Sequence, residues 1–292
     1  MMNSAEMSFV GGLAEYAEQR YADYEPYRRV AGELFDEFRR VAALCGIDYY
    51  MMCGSLLAIE KFALPILPWD DDYDVAVPVG QVPKLIDAFQ THLKPDFYVV
   101  SDRLNSGYCL RMTRICKKGY NSDILHMDIF YLCGLPDDEQ AALAQSSRAI
   151  HLAELRGHKF GGEWKKKKLY SFPKRCMLFV QHLPYMLIPR FWLKKEEDKC
   201  IYGTSLERSD YCFLPGIGDV NNHPIRYRRE WFGTPQKRTV DGIELLMPCD
   251  SAAILELHYG EELQKTMTMK EKVHEFFTKL AVLEKIGTGD GK

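Results

Sequence analysis

The sequence predicts an α+β fold, a mixed α/β sheet flanked by helices, and three observations carry that expectation. Residues 28 to 45 place Val30, Leu34, Phe38, Val41 and Cys45 at three- and four-residue steps, which is one buried face of a helix. Short apolar runs follow at Ile47–Met52, Tyr73–Val77, Phe97–Ser101, Tyr108–Ile115 and Leu125–Leu132, each of strand length. Helical patterns at Leu56–Phe62 and Val82–His92 interleave with them, so a sheet domain is expected across residues 28 to 135.

In chain order, residues 1 to 27 are an N-terminal extension, and Gly46 stops the 28–45 helix. The strand Ile47–Met52 ends at Cys53-Gly54-Ser55, and Leu56–Phe62 starts a helix from that Gly-Ser turn. Pro65 and Pro68 forbid its continuation, because proline lacks the N–H and collides with the preceding turn. Pro78 closes the strand Tyr73–Val77. Residues 136 to 200 change character, with Lys165–Lys168 and the stretch RCMLFVQHLPYMLIPRFWLKK from Arg175 to Lys195, and read as a basic, apolar helical insertion. Residues 201 to 287, rich in Gly, Pro and Tyr, return to the same domain, with helices near Ala252–Leu263 and over Lys270–Ile286. In the last of these Val273, Phe276, Phe277, Leu280 and Leu283 have helical spacing, Gly287 ends it, and residues 288 to 292 are a loose tail.

At 292 residues, 47% hydrophobic and 27% charged, the chain can bury a sizeable core. A net charge of -3 gives no general pull toward nucleic acid, and no nucleic-acid partner is expected. The start lacks the basic and apolar regions of a secretory signal, and no run of roughly 20 apolar residues predicts a membrane span. The nine cysteines form no CxxC pair, and such a scattered, odd set reads as the reduced thiols of a cytoplasmic protein.

The stretch LPWDDDYDVAVP, residues 67 to 78, sets Asp70, Asp71, Asp72 and Asp74 against Val-Ala-Val. Alternate side chains of a strand share a face, so Asp72 and Asp74 are expected to point the same way. Bare carboxylates that close raise each other's pKa, whereas a bound cation makes the spacing useful. Mg²⁺ is held by one or two carboxylates and completes its shell with water and phosphate oxygens, which suits it to polarising a phosphoryl group. An EF-hand loop is excluded, because Val75 and Gln81 stand where it needs glycine and glutamate. A solvated turn capped by Asp70 or Asp71, and the DxD of a sugar-nucleotide glycosyltransferase, stay open on the acids alone.

Two flanking features sharpen the reading. Upstream, MMCGSLLAI sets Gly54 and Ser55 at a helix start, where backbone N–H groups can receive a phosphate. Downstream, LHMDIFYL sets Asp128 inside an apolar strand, which is costly unless it meets a cation or donors. On YCLRMTRI, Arg111 and Arg114 lie three apart and cannot share a face of a regular strand. Arg114 is assigned to the donor phosphate; the alternative for each is a surface arginine paired with an acid.

These motifs, in this order, resemble the LicD family of phosphocholine transferases, whose relatives include the fukutin-related proteins. The resemblance starts at LFDEFRRVAALCGIDYYMMCGSLLAI, peaks at LPWDDDYDV, continues at HMDIF and returns at LLMPCDSAAILELHYGEEL. It implies a nucleotidyltransferase-like core with Gly54 and Ser55 as the glycine-serine turn, Asp72 and Asp74 as the metal pair and Asp128 as the third acid. It implies transfer of a phospho-alcohol, typically phosphocholine, from a CDP-linked donor such as CDP-choline to a hydroxyl of a glycan or lipid-linked glycan, such as teichoic acid or lipopolysaccharide. On this reading Asp72 and Asp74 hold Mg²⁺ or Mn²⁺, and Asp128 completes the metal site or takes the acceptor proton. Where the family carries an arginine, this chain has Glu60 and Lys61, and Lys61 is expected to contact the donor phosphate. The competing functions are a DxD glycosyltransferase, a nucleotidyltransferase and a membrane-associated relative without chemistry. A choline donor needs an aromatic cage, for which Tyr202, Tyr211, Tyr227 and Trp231 are candidates and none is assigned.

The segment 175–195 is broken by Pro184 and Pro189 and too short to span a bilayer. Its basic flanks and aromatic content suit peripheral contact with an anionic leaflet at the inner face of the membrane. The alternative is a buried helical hairpin covering the sheet.

Overall fold

In the computed structural model, residues 26–67, 70, 72–161, 171–219 and 223–260 are described. The readings made on Trp69, Asp71, Lys165–Lys168, Lys270–Ile286, the tail and most of the N-terminal extension lie outside these residues. The first helix, α1 (26–45), lays Val30, Leu34, Phe35, Phe38 and Val41 into the core, as its periodicity requires. The fold is α+β, and the sheet it covers is mixed.

That sheet contains β1 (Tyr50–Met51), β2 (Asp74–Pro78), β3 (Phe97–Ser101), β4 (Thr113–Lys117), β5 (His126–Leu135), β6 (Tyr211–Phe213) and β7 (Tyr227–Arg228). The order is β1-β2-β5-β4-β3, with β6 paired to the far end of β5 and β7 to β6. Among the described residues only β2 and β5 run parallel. All ten residues of β5 are buried, and apart from His126 and Asp128 its sequence is apolar or glycine. Around the sheet lie α2 (Cys53–Leu57), α3 (Val82–His92), α4 (Glu139–Phe160), α5 (Phe172–Leu187), α6 (Arg190–Tyr202) and α7 (Ser251–Tyr259). A separate hairpin, β8 (Gln236–Val240) and β9 (Ile243–Met247), turns on Asp241 and Gly242. Their φ values of 49° and 76° give the two positive positions that a two-residue hairpin needs.

Several boundaries differ from the sequence expectation. The strand expected at Tyr108–Ile115 begins only at Thr113 and runs to Lys117. Arg111, two residues before the strand, is bound instead by Asp102 at 2.5 Å and Asp198 at 2.7 Å. The strand at Ile47–Met52 shortens to Tyr50–Met51. The helix expected at Leu56–Phe62 already starts at Cys53 and passes into a π turn over Ala58–Phe62. The 175–195 stretch is two helices that part at Ile188 and Pro189, and Pro184 stays inside α5. It is not a buried hairpin, since His182 is the one buried residue of α5.

The 136–200 segment is bound to the sheet by charge as well as by packing. Arg156 on α4 grips Glu197 on α6 through two bonds of 2.6 and 2.5 Å, and Tyr131 on β5 donates to Asp102 at 2.9 Å. Asp102, Arg111, Arg156 and Glu197 are all buried. Removing one member of such a network leaves its partners charged and dry. Arg111→Ala is therefore expected to cost about 3–5 kcal/mol of stability in urea unfolding, whereas removal of an exposed pair such as Lys237–Glu244 should cost under about 1 kcal/mol.

Candidate metal centre

The site is built by strand register. Asp74 on β2 stands beside Asp128 on β5, and Asp128 stands beside Arg114 on β4, so the three form one row across adjacent strands. His126 lies two residues before Asp128 and shares its face. The row is held at its start by backbone bonds, with the Asp128 amide donating to the Tyr73 carbonyl at 2.9 Å and the Met52 amide to the Asp74 carbonyl at 3.0 Å. Tyr73 turns the other way and stacks on Phe35 of α1 at 4.3 Å, so one residue anchors the acidic strand in the core while its neighbours face the site.

β2 starts at Asp74, so Asp72 reaches the site from the bend before the strand and not by strand alternation. His126 Nε2 lies 3.2 Å from Asp72 Oδ2 and 3.6 Å from Asp128 Oδ1. Among the described residues, Asp72, His126 and Asp128 can bring one ligand atom each within 4.8 Å of one another. Asp74 is absent from that trio and His126 stands in it, although Asp74 is the nearest strand neighbour of Asp128. Arg114 holds both oxygens of Asp128, Nε to Oδ1 at 2.6 Å and Nη2 to Oδ2 at 3.2 Å. Burial alone would weaken the Arg114 proton affinity, and the Asp128 carboxylate more than reverses this.

Asp74 carries the electrostatic cost of the cluster. Loss of solvation raises its carboxyl well above the usual carboxylate range, and Asp72, Asp128 and Asp70 push it further. The Gly54 backbone N–H donates to it and acts in the opposite sense. Gly54 is also tightly enclosed: a side-chain carbon there would run into the Asp70 carboxylate. The Ser55 hydroxyl, fully buried, accepts the Asp74 amide at 2.9 Å. The Gly-Ser turn expected to cradle a phosphate thus directs these polar groups to Asp74.

Lys61 is exposed at the end of the π turn, where Glu60 pairs with Arg238 at 2.8 Å; the cation brought to the acids is Arg114. Arg111 belongs to the Asp102 network: it is paired with acids, but buried and not at the surface as the alternative had it. α7 packs on α2 and brings Tyr259 to the centre, where burial first, then Cys53, Asp74 and Asp70, hold its phenol protonated. Burial and the four aspartates keep the Cys53 thiol protonated as well. Of the cage candidates, Tyr211 already carries Arg226 over its ring at 4.1 Å, Tyr202 accepts from Arg103 at 2.6 Å and Tyr227 pairs with His258 at 3.0 Å.

Sequence reasoning missed His126, and it gave Asp70 no role beyond a turn cap and Cys53 none beyond the end of a strand. For His126 a signal was present, since alternation puts it on the face of Asp128. The donor set of two carboxylates and one imidazole, with a third carboxylate adjacent, suits a divalent cation, and an imidazole favours a transition ion over Mg²⁺. The chain matches no family model and no curated protein.

Two outcomes follow from the geometry. Ser55→Ala strands the buried Asp74 amide and is expected to cost about 1–3 kcal/mol in chemical unfolding. For Asp74 the folded-state value is raised, so its contribution to stability is full below about pH 4 and is lost as pH rises toward the raised value. In chelator, wild-type thermal midpoints should fall over that range, and Asp74→Asn should flatten the fall and raise the midpoint by at least about 2 °C at neutral pH.

Proposed function

We propose that the protein is a metal-dependent transferase that moves a phospho-alcohol, with phosphocholine as the favoured group, from a CDP-linked donor to a hydroxyl of a glycan or lipid-linked glycan. The observation that carries this reading is the convergence of Asp72, from the bend before β2, and His126, on β5, with the row Asp74, Asp128 and Arg114 across the sheet. Support also comes from the ordered motifs that resemble the LicD family. The nine cysteines, none in a disulfide, suit a reducing cytoplasm.

Asp72, His126 and Asp128 would hold the ion, with Asp74 beside them, and the ion would supply positive charge to the donor diphosphate. Arg114 orients Asp128 and adds a fixed cation facing the phosphates. The acceptor oxygen forms its bond to the distal phosphorus as the phosphoanhydride bond breaks, and CMP departs with the bridging oxygen. The acceptor proton passes to Asp128 Oδ2, the oxygen with the longer contact to Arg114. Deep, water-poor placement of these groups strengthens each interaction with the developing charge.

CMP release from CDP-choline, CDP-ribitol and CDP-glycerol, with a glycan acceptor, tests the proposal. At least one donor should yield acceptor-dependent CMP, and Asp72→Ala or Asp128→Ala should lower the rate about a hundredfold or more. Near-normal transfer by these variants overturns it, and release of UDP from a nucleotide sugar or of pyrophosphate moves the site to the glycosyltransferase or nucleotidyltransferase reading. In thermal titrations of the full chain, Mn²⁺ should stabilise more than Mg²⁺, and His126→Ala should remove most of that difference.

A further inference from the structure

Helix α5 presents an apolar stripe outward. Phe172, Phe179, Val180, Leu183, Met186 and Leu187 recur at three-, four- and seven-residue steps, which places them along one side of the helix. All are exposed, Phe172 and Leu187 to 75% and Val180 to 67%. The opposite side faces α4, where Tyr185 stacks on His158 at 4.6 Å and Lys159 donates to the carbonyls of Tyr185 and Met186. The helix is thus docked through its less apolar side. Beyond the Pro189 break, Phe191 at 76% and Trp192 at 38% continue the exposed surface onto α6. Among the described residues, nine of fifteen exposed large hydrophobics fall within residues 172–192. Scattered apolar residues are ordinary on a protein surface, but a contiguous patch marks a binding face.

Charge decides what covers it. From Trp164 to Lys195 the sequence has nine Lys or Arg and no Asp or Glu, in a chain whose net charge is -3. Lys174, Arg175, Arg190, Lys194 and Lys195 are exposed along the two helices. The chain's own amphipathic segment, residues 270 to 286, is a poor match, because it carries four lysines and three glutamates and is nearly neutral. A second copy would bring like charge to like charge. An anionic lipid surface matches both features, since it accepts apolar side chains below its headgroups and binds cations at them. No helix among the described residues is long and apolar enough to cross a membrane, so the contact is one of lying on the surface.

We propose that α5 and the start of α6 form a docking surface for an anionic bilayer, with the apolar stripe inserted at the interface and the flanking cations on the headgroups. The inference stands apart from the proposed chemistry and would hold for any activity at the metal centre. It is tested by flotation of the full chain with vesicles of phosphatidylcholine alone and of phosphatidylcholine with phosphatidylglycerol. Binding should appear with the anionic vesicles and weaken as salt rises. Val180→Asp with Leu183→Asp, or Arg175→Glu with Lys195→Glu, should each weaken it about tenfold or more. The substituted side chains are exposed, so circular dichroism and the thermal midpoint should match wild type. Absence of flotation, equal binding to both vesicles, or binding indifferent to both pairs of substitutions overturns the proposal. So does a dimer in solution that Val180→Asp with Leu183→Asp dissolves while no lipid is bound.

Discussion

The parallel pairing of β2 with β5 is the constraint on which the rest of the site depends. It brings Asp74 level with Asp128, and two carboxylates in adjacent register repel unless something offsets them. The fold supplies partial compensation from outside the pair, with Arg114 from the antiparallel neighbour and the Gly54 N–H from α2. Tyr73 makes the pairing mechanically secure. Its ring is locked in the core against Phe35 while its carbonyl receives the Asp128 amide, so the acids cannot separate without opening the packing under them. Side-chain charge and backbone ladder are therefore set against each other in one small region, and the ladder wins.

This arrangement has the character of a functional site built at a cost in stability. A core this well packed could accept apolar residues at these positions with no such penalty. Instead the raised carboxyl of Asp74, the enclosed Gly54 and the buried Ser55 hydroxyl all serve to hold four aspartates near one point. The Cys53 backbone adds to this, with a φ of 48° that non-glycine residues seldom adopt and that clusters at functional positions. A cation would convert the repulsion into attraction and tie metal binding to folding.

The helical segment after β5 solves a different problem. Its inner helices are fastened by a buried network of Arg111, Asp102, Arg156 and Glu197, which fixes their placement against the sheet. With α4 and α6 held rigidly, α5 can leave its apolar side exposed without endangering the core. Rigid attachment and an exposed apolar surface together suit a part that meets something large.

The sequence by itself determined the fold class, the limits of α3, the core face of α1, and the gathering of aspartates ahead of an apolar strand. These depend on local periodicity and composition, which are visible without contacts. Only the tertiary structure decided which of Arg111 and Arg114 meets the metal-site acids: β4 starts at Thr113, so Arg114 lies in register with Asp128, while Arg111 precedes the strand and binds Asp102 and Asp198. Likewise the hydroxyl of Ser55 looked available for a phosphate, and the Asp74 amide, nineteen positions on, claims it. His126 shows both sides of the matter: alternation placed it on the face of Asp128, but its reach to Asp72 needed the path of the bend before β2. Which face a side chain occupies is a local property of the chain; what it meets there is set by strand register and by segments remote in sequence.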